Sequence, residues 1–259
     1  MTTHIQSAFA RIVVELYPPA ARIKFNNPPL NVIDITMMEE LRAALEQIEL
    51  RPEVSAVVFT GSDEAFSTGV DIAAHTPDRV HDMLAMLHSV IRSLVSSKKL
   101  TMASVRGHCL GGGAELALMC DFAYASPESV WGFPEIKLAC FPPVASVALP
   151  AMVGPKMAAE MVLTGRTLKG EDALAAGIVN GVAGDPETLV SECLQRVSHL
   201  SPAAIALAKK AFYAWDSIHF DKGLARAERI YLEELMQTED AREGIQAFLE
   251  NRSPRWKRF

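Results

Sequence analysis

Apolar residues along the chain recur at two spacings, and the switches between them predict the order of elements. Residues 11–16 and 20–25 are short β-leaning runs on either side of Pro18–Pro19, which predicts paired strands with a tight connection. Thr36 predicts a helix start, with Glu39 three residues on completing a capping box. Met38, Leu41, Leu45 and Ile48 carry that helix's apolar stripe, and Pro52 lies beyond its end. Residues 55–60, reading SAVVFT, predict a compact strand buried on both faces. After the loop 61–71, a helix is expected over 77–97, where Val80, Leu84, Leu87, Ile91 and Leu94 form one core-facing stripe. A strand over 102–105 follows. The β-α-β order with short loops implies a largely parallel sheet and an α/β fold class.

Beyond Glu135 the segment 136–151 is apolar and interrupted by Pro142–Pro143. A helix over 155–163, a helical turn over 171–176 and a last strand at Gly177–Ile178–Val179 come next. From Pro186 onward the pattern is helical throughout, over 187–200, 202–215, 217–236 and 239–250. The change from mixed to all-helical patterning divides the chain into 1–200 and 201–259.

Composition narrows the function classes. The chain has 259 residues, 49% hydrophobic and 22% charged, which is ordinary for a globular protein with a substantial core. A net charge of −6 argues against bulk attraction to nucleic acid or an anionic membrane. No apolar run approaches the roughly 18 residues of a membrane span. The start MTTHIQSAF has neither the basic nor the apolar region of a secretory leader. Cys109, Cys120, Cys140 and Cys193 are scattered, which fits reduced thiols in the cytoplasm. His75, His81, His88 and His108 lack paired ligand spacing, so no metal site is expected. No dinucleotide G-x-G-x-x-G pattern is present, so neither a nicotinamide nor a flavin cofactor is expected.

The chemistry concentrates between His108 and Glu135. Gly111, Gly112 and Gly113 follow the strand at 102–105 and precede the helix-forming run 114–119. Strand, glycine turn and helix together aim free N–H groups at an electron-rich ligand atom, and glycine lets that atom approach. Glu115 lies in the first helical turn, where an acid often only complements the dipole. Its neighbours Ala114, Leu116 and Ala117 predict burial, which a carboxylate without a task rarely meets. Glu135 follows 20 residues later, after Phe133–Pro134. Oxyanion donors beside two carboxylates suit proton transfer next to a carbonyl. His108 and Cys109 are expected to pack rather than react, and Asp121 to satisfy nearby polar groups.

The runs GGGAELALMCD and GFPEIKL, with AFSTGVD (65–71) upstream and AFLENRSP (247–254) near the end, closely resemble the crotonase (enoyl-CoA hydratase/isomerase) superfamily. The resemblance covers nearly the whole chain. It implies a ββα spiral core with a C-terminal helical region that builds a homotrimer or homohexamer. It implies an acyl-CoA thioester substrate and no further cofactor. Glu115 and Glu135 match the catalytic pair that handles water and the α-carbon proton, and the Val70 and Gly112 N–H groups match the oxyanion hole. Ser67, Thr68, Asp71, Ile72 and Gly111 fall in the stretches that meet substrate, and Phe141 and Pro143 in the acyl wall. Many relatives carry a basic residue shortly after the Asp71 position, where this chain reads Ile72–Ala73–Ala74–His75, so phosphate contact would fall to Arg22, Lys24 or a neighbouring subunit's C-terminal basic residues.

One departure stands out. Where such hydratases carry a glycine-rich run that helps hold water, this chain reads LACFPPVAS (138–146), and Pro143 has no N–H to donate. With VDIAAHTPD, that run looks most like the cyclohexadiene-carbonyl-CoA hydratases of anaerobic aromatic degradation. The expected activity is therefore hydration of a conjugated enoyl- or dienoyl-CoA. General short-chain hydration and double-bond isomerisation are alternatives on the same fold. A non-catalytic RNA-binding relative is a third, opposed by the two glutamates and the negative charge.

Overall fold

A computed structural model describes residues 3–4 and 9–256, with side chains at 9–213 and 220–256. Most of the opening stretch MTTHIQSAF, and the terminal Lys257 and Arg258, lie outside the described residues. The chain runs β1 (Thr3–His4), β2 (Ile12–Tyr17), β3 (Ala20–Phe25), α1 (Ile35–Glu49), β4 (Ala56–Thr60), β5 (Ala65–Ser67) and α2 (Val80–Ser96). It continues through β6 (Leu100–Val105), β7 (His108–Leu110), α3 (Gly112–Leu118), β8 (Phe122–Ala125), β9 (Val130–Gly132), α4 (Pro143–Val153) and α5 (Pro155–Thr164). The rest is β10 (Thr167–Lys169), α6 (Gly170–Ala175), β11 (Gly181–Val182), α7 (Pro186–Val197), α8 (Pro202–Arg229) and α9 (Glu239–Leu249).

The strands form two sheets, ordered β1-β2-β3-β4-β6-β8-β11 and β10-β9-β7-β5. In the large sheet β2 and β3 are an antiparallel hairpin, and β3, β4, β6, β8 and β11 run parallel. Chain order alternates between the sheets: β4 then β5 then α2, β6 then β7 then α3, β8 then β9 then α4. Each unit is one strand of the large sheet, one of the small sheet and a helix, so the core is a ββα spiral.

Alternation along the strands shows why they are apolar on both faces. Val57 and Phe59 face the main core, while Ala56 and Val58 face a second cluster that includes Val190 and Cys193 of α7. The C-terminal helices join the main core: Phe220, Leu224, Tyr231, Met236, Ala241 and Ile245 belong to the same buried cluster as β2, β4 and α2.

Several expectations are corrected. The first helix is capped by Asp34, whose carboxylate accepts from Met37 N at 2.8 Å, rather than by Thr36. Pro77 to Arg79 precede α2, and a short 3-10 turn capped by Asp71 covers Ile72–His75. Residues 177–179 are not a strand; the last strand is β11. The segment after Pro142 is helical because Pro143 takes the first position of α4, where a missing N–H costs nothing. Residues 202–229 form one unbroken helix, which passes into a π-turn at Ile230–Glu234. His108 is exposed on β7 rather than packed, while Cys109 beside it is buried. All four cysteines are unbridged and buried. Among the described residues no helix is long and apolar enough to cross a membrane.

Candidate active site

The small sheet explains how distant residues meet. β5, β7 and β9 are adjacent and parallel, so the loops leaving their C-terminal ends emerge side by side. They carry Gly69–Val70, Gly111–Gly112 and Phe133–Glu135 respectively. The Gly111 N–H donates to Gly132 O at 3.0 Å and ties the second loop to the third. Gly111 has φ 53°, in the left-handed region, and a Cβ there would sit 2.8 Å from Glu135 Oε1. A Cβ on Gly112 would sit 2.7 Å from Val70 Cγ2 and 3.7 Å from Val70 N. Only glycine allows these approaches.

Val70 is held by its neighbours: Ile33 N donates to Gly69 O and Asp71 N to Ile33 O, at 2.9 and 3.1 Å. This leaves the Val70 N–H itself without a partner among the described residues, as is the Gly112 N–H in the first turn of α3. The two free N–H groups border a cavity of about 80 Å³. Glu115, Glu135, Leu138, Phe141, Pro143 and Tyr231 are among its walls.

Glu115 is only 2% exposed. Its Oε1 accepts from Ala145 N at 3.0 Å, so the first turn of α4 caps it. Burial pushes its carboxyl up to about 7, and the N–H groups of Ala145 and Val144 oppose that rise. Glu135 reaches the cavity from the 3-10 turn Pro134–Leu138, with Oε2 buried and unpartnered. Burial first, and the Glu115 charge second, push its carboxyl up to about 8. Two carboxylates that resist ionisation together near neutrality can divide acid and base roles.

The other expected residues separate into two groups. Thr68, Ile72, Gly111, Phe141 and Pro143 border the cavity. Ser67 and Asp71 do not: Ser67 is fully buried with Oγ accepting from Gly69 N at 3.1 Å, and Asp71 accepts from Ala73 N at 3.0 Å. Both side chains brace the loop between β5 and the turn at Ile72–His75. Arg22 is ion-paired with Glu187, which leaves Lys24 as the exposed base of β3. Asp121 accepts from Thr101 N and from Lys209 Nζ, at 2.8 and 2.7 Å, as expected of a polar satisfier. His75, Cys140, Tyr231 and Ile245 also line the cavity. No motif marks them; His75 follows the 65–71 loop closely, Cys140 lies in the proline-interrupted segment 136–151, and Tyr231 and Ile245 lie on stretches expected to be helical, where the pattern does not show which side chain turns towards the site.

With this geometry established, comparison with known proteins identifies the family. The enoyl-CoA hydratase/isomerase family matches residues 18–258, so the chain belongs to it. The chain is 33% identical over 237 residues to a cyclohexa-1,5-dienecarbonyl-CoA hydratase of Thauera aromatica, covering 91% of this chain and 92% of that one. An enoyl-CoA hydratase from Mycobacterium avium subsp. paratuberculosis superposes with a TM-score of 0.85 at 27% identity, covering 96% and 99% of the two chains. An enoyl-CoA hydratase/isomerase from Xanthobacter autotrophicus superposes at 0.83 with 30% identity, covering 94% and 97%. The protein is an enzyme of the enoyl-CoA hydratase type with a crotonase fold.

Proposed function

We propose that the protein adds water to a conjugated, cyclic dienoyl-CoA, cyclohexa-1,5-diene-1-carbonyl-CoA, in the cytoplasmic degradation of aromatic compounds. The observation that carries the hydratase reading is the facing of two high-pKa glutamates into one cavity beside two unpartnered N–H groups. The thioester carbonyl accepts from Val70 and Gly112, which stabilises the enolate; one such donor is typically worth about 2.7–4 kcal/mol. Glu115, ionised, takes a proton from water as its oxygen bonds to the electrophilic carbon. Glu135, protonated, delivers its proton to the α-carbon or the vinylogous position. The Thauera relative and the stiff apolar wall of Phe141, Pro142 and Pro143 support the cyclic substrate. No metal or redox cofactor takes part in this sequence. The active assembly is a homotrimer or homohexamer.

A second reading, double-bond isomerisation, is favoured by one observation. Pro143 opens α4 without an N–H, and the Ala145 N–H is already engaged by Glu115, so that helix offers water little. Turnover of cyclohexadiene-carbonyl-CoA and crotonyl-CoA in oxygen-18 water decides between them. Label incorporated only from the cyclic diene is the expected result, and Glu115→Gln or Glu135→Gln abolishes it while thioester binding persists. Label from crotonyl-CoA alone marks a general short-chain hydratase, and a shifted double bond without label marks an isomerase.

A further inference from the structure

The least explained polar group in the cavity is the Tyr231 hydroxyl. α8 passes into the π-turn Ile230–Glu234, a local widening of the helix that redirects side chains and is frequent at functional sites. Tyr231 points inward from it, 1% exposed, with its ring 5.2 Å from that of Phe141 at an interplanar angle of 61°. It shares the cavity wall with Glu115 and Glu135. Its hydroxyl is buried and makes no hydrogen bond. The neighbouring Cys140 thiol donates to Leu138 O at 3.6 Å, and its sulfur offers the hydroxyl only a weak acceptor.

Leaving a buried hydroxyl unpaired costs about 1–3 kcal/mol, and a phenylalanine would fill the same space without that cost. Glu135 Oε2, in the same cavity, is also buried and unpartnered. Polar atoms left open around one cavity are completed by polar atoms of a ligand. The thioester carbonyl already has the Val70 and Gly112 N–H groups. The remaining polar atom of a hydration is the oxygen that is added. On the α4 side Pro143 offers it no N–H, and Ala145 N–H is held by Glu115.

We propose that Tyr231 is a catalytic residue that holds the added oxygen, its O–H donating to the attacking water and, in reverse, to the product hydroxyl. This rests on the hydratase reading. In the step, the water oxygen bonds to the electrophilic carbon and its proton passes to Glu115. The π electrons move into the enolate held at Val70 and Gly112, and Glu135 then protonates carbon. Tyr231 keeps its own proton throughout, so it steadies the oxygen without entering the proton balance.

Tyr231→Phe tests this in the oxygen-18 assay, run on wild type and variant across pH. The expected result is a fall in kcat for labelled product of about 10–100-fold, the size of a lost hydrogen bond to a reacting group. KM stays within about two-fold, the melting temperature is not lowered, and both limbs of the pH profile stay in place, because the tyrosine does not titrate there. Labelled turnover within two-fold of wild type overturns the assignment. A rate loss with shifted pH limbs also overturns it, since the hydroxyl would then be acting on the glutamates. Absence of label from wild type itself removes the hydratase reading and this assignment with it, an outcome distinct from the other two.

Discussion

Glu135 differs from an ordinary surface acid in that folding holds its proton. Its carboxyl is pushed up to about 8 from an ordinary 4.5 by burial and by Glu115. Between those two values the native state binds more protons than the unfolded chain. Stability therefore falls as pH rises through that window and levels off above it. Glu135→Gln cannot ionise and escapes this loss. The variant is expected to match wild type near pH 5 and to exceed it near pH 8.5, by up to about 4 kcal/mol given about 1.4 kcal/mol for each pKa unit. Paired thermal melts at the two pH values check it; equal melting differences at both would show that Glu135 is ordinary in the fold. The same property predicts maximal turnover of wild type where the pair holds one shared proton, close to neutrality and slightly above it.

At the scale of elements, the Lys209–Asp121 pair fastens α8 to the sheet. Lys209 Nζ, on a residue only 7% exposed, reaches Asp121 at 2.7 Å, Lys99 O at 2.9 Å and Leu94 O at 3.2 Å. One cation thus joins α8 to the end of α2, the start of β6 and the start of β8. Lys209→Met leaves Asp121 buried and unpaired, for which about 3–5 kcal/mol is typical. The expected outcome is a melting temperature lowered by roughly 10 °C, with part of the loss recovered in Lys209→Met/Asp121→Asn. This joint was only half legible in the sequence. Asp121 announced itself as a polar residue in an apolar run, whereas Lys209 looks like any base on a polar helix. The same contrast holds for the site. Glu115, Glu135 and the glycines were legible because an acid among alanines and three glycines after a strand break local rules. Long strands such as β4 and β6 were legible from their unbroken apolar runs. The three-residue strands β5, β7 and β9 were not, because no periodicity can be read over three positions. Tyr231 escaped for a different reason: in a helical tail, a one-residue widening decides which side chain turns inward, and the pattern carries no trace of it.

For the whole molecule, the arrangement of apolar surface bears on assembly. The C-terminal helices bury Phe220, Leu224 and Tyr231 in the chain's own core, yet α8 leaves Leu207 68% and Phe212 71% exposed. Beside Phe212 lies a depression of about 570 Å³ whose walls include Leu118, Met119, Val147, Ala148 and Met152. Phe212 itself lines this hollow, so ridge and hollow form one largely apolar surface, and a head-to-tail contact through such a surface generates a ring when its rotation closes. That is the geometry the proposed trimer requires, and it bears on catalysis because α8 runs directly into the π-turn that carries Tyr231. Light scattering on the eluting protein is expected to give three or six times the 28.2 kDa chain mass. Phe212→Asp places a charge in that contact and is expected to shift the mass towards a single chain. Wild type eluting at the mass of one chain would remove the assembly. If the dissociated variant also loses turnover with Tyr231 and both glutamates intact, the ring serves to hold α8, and through it the π-turn, in its working position.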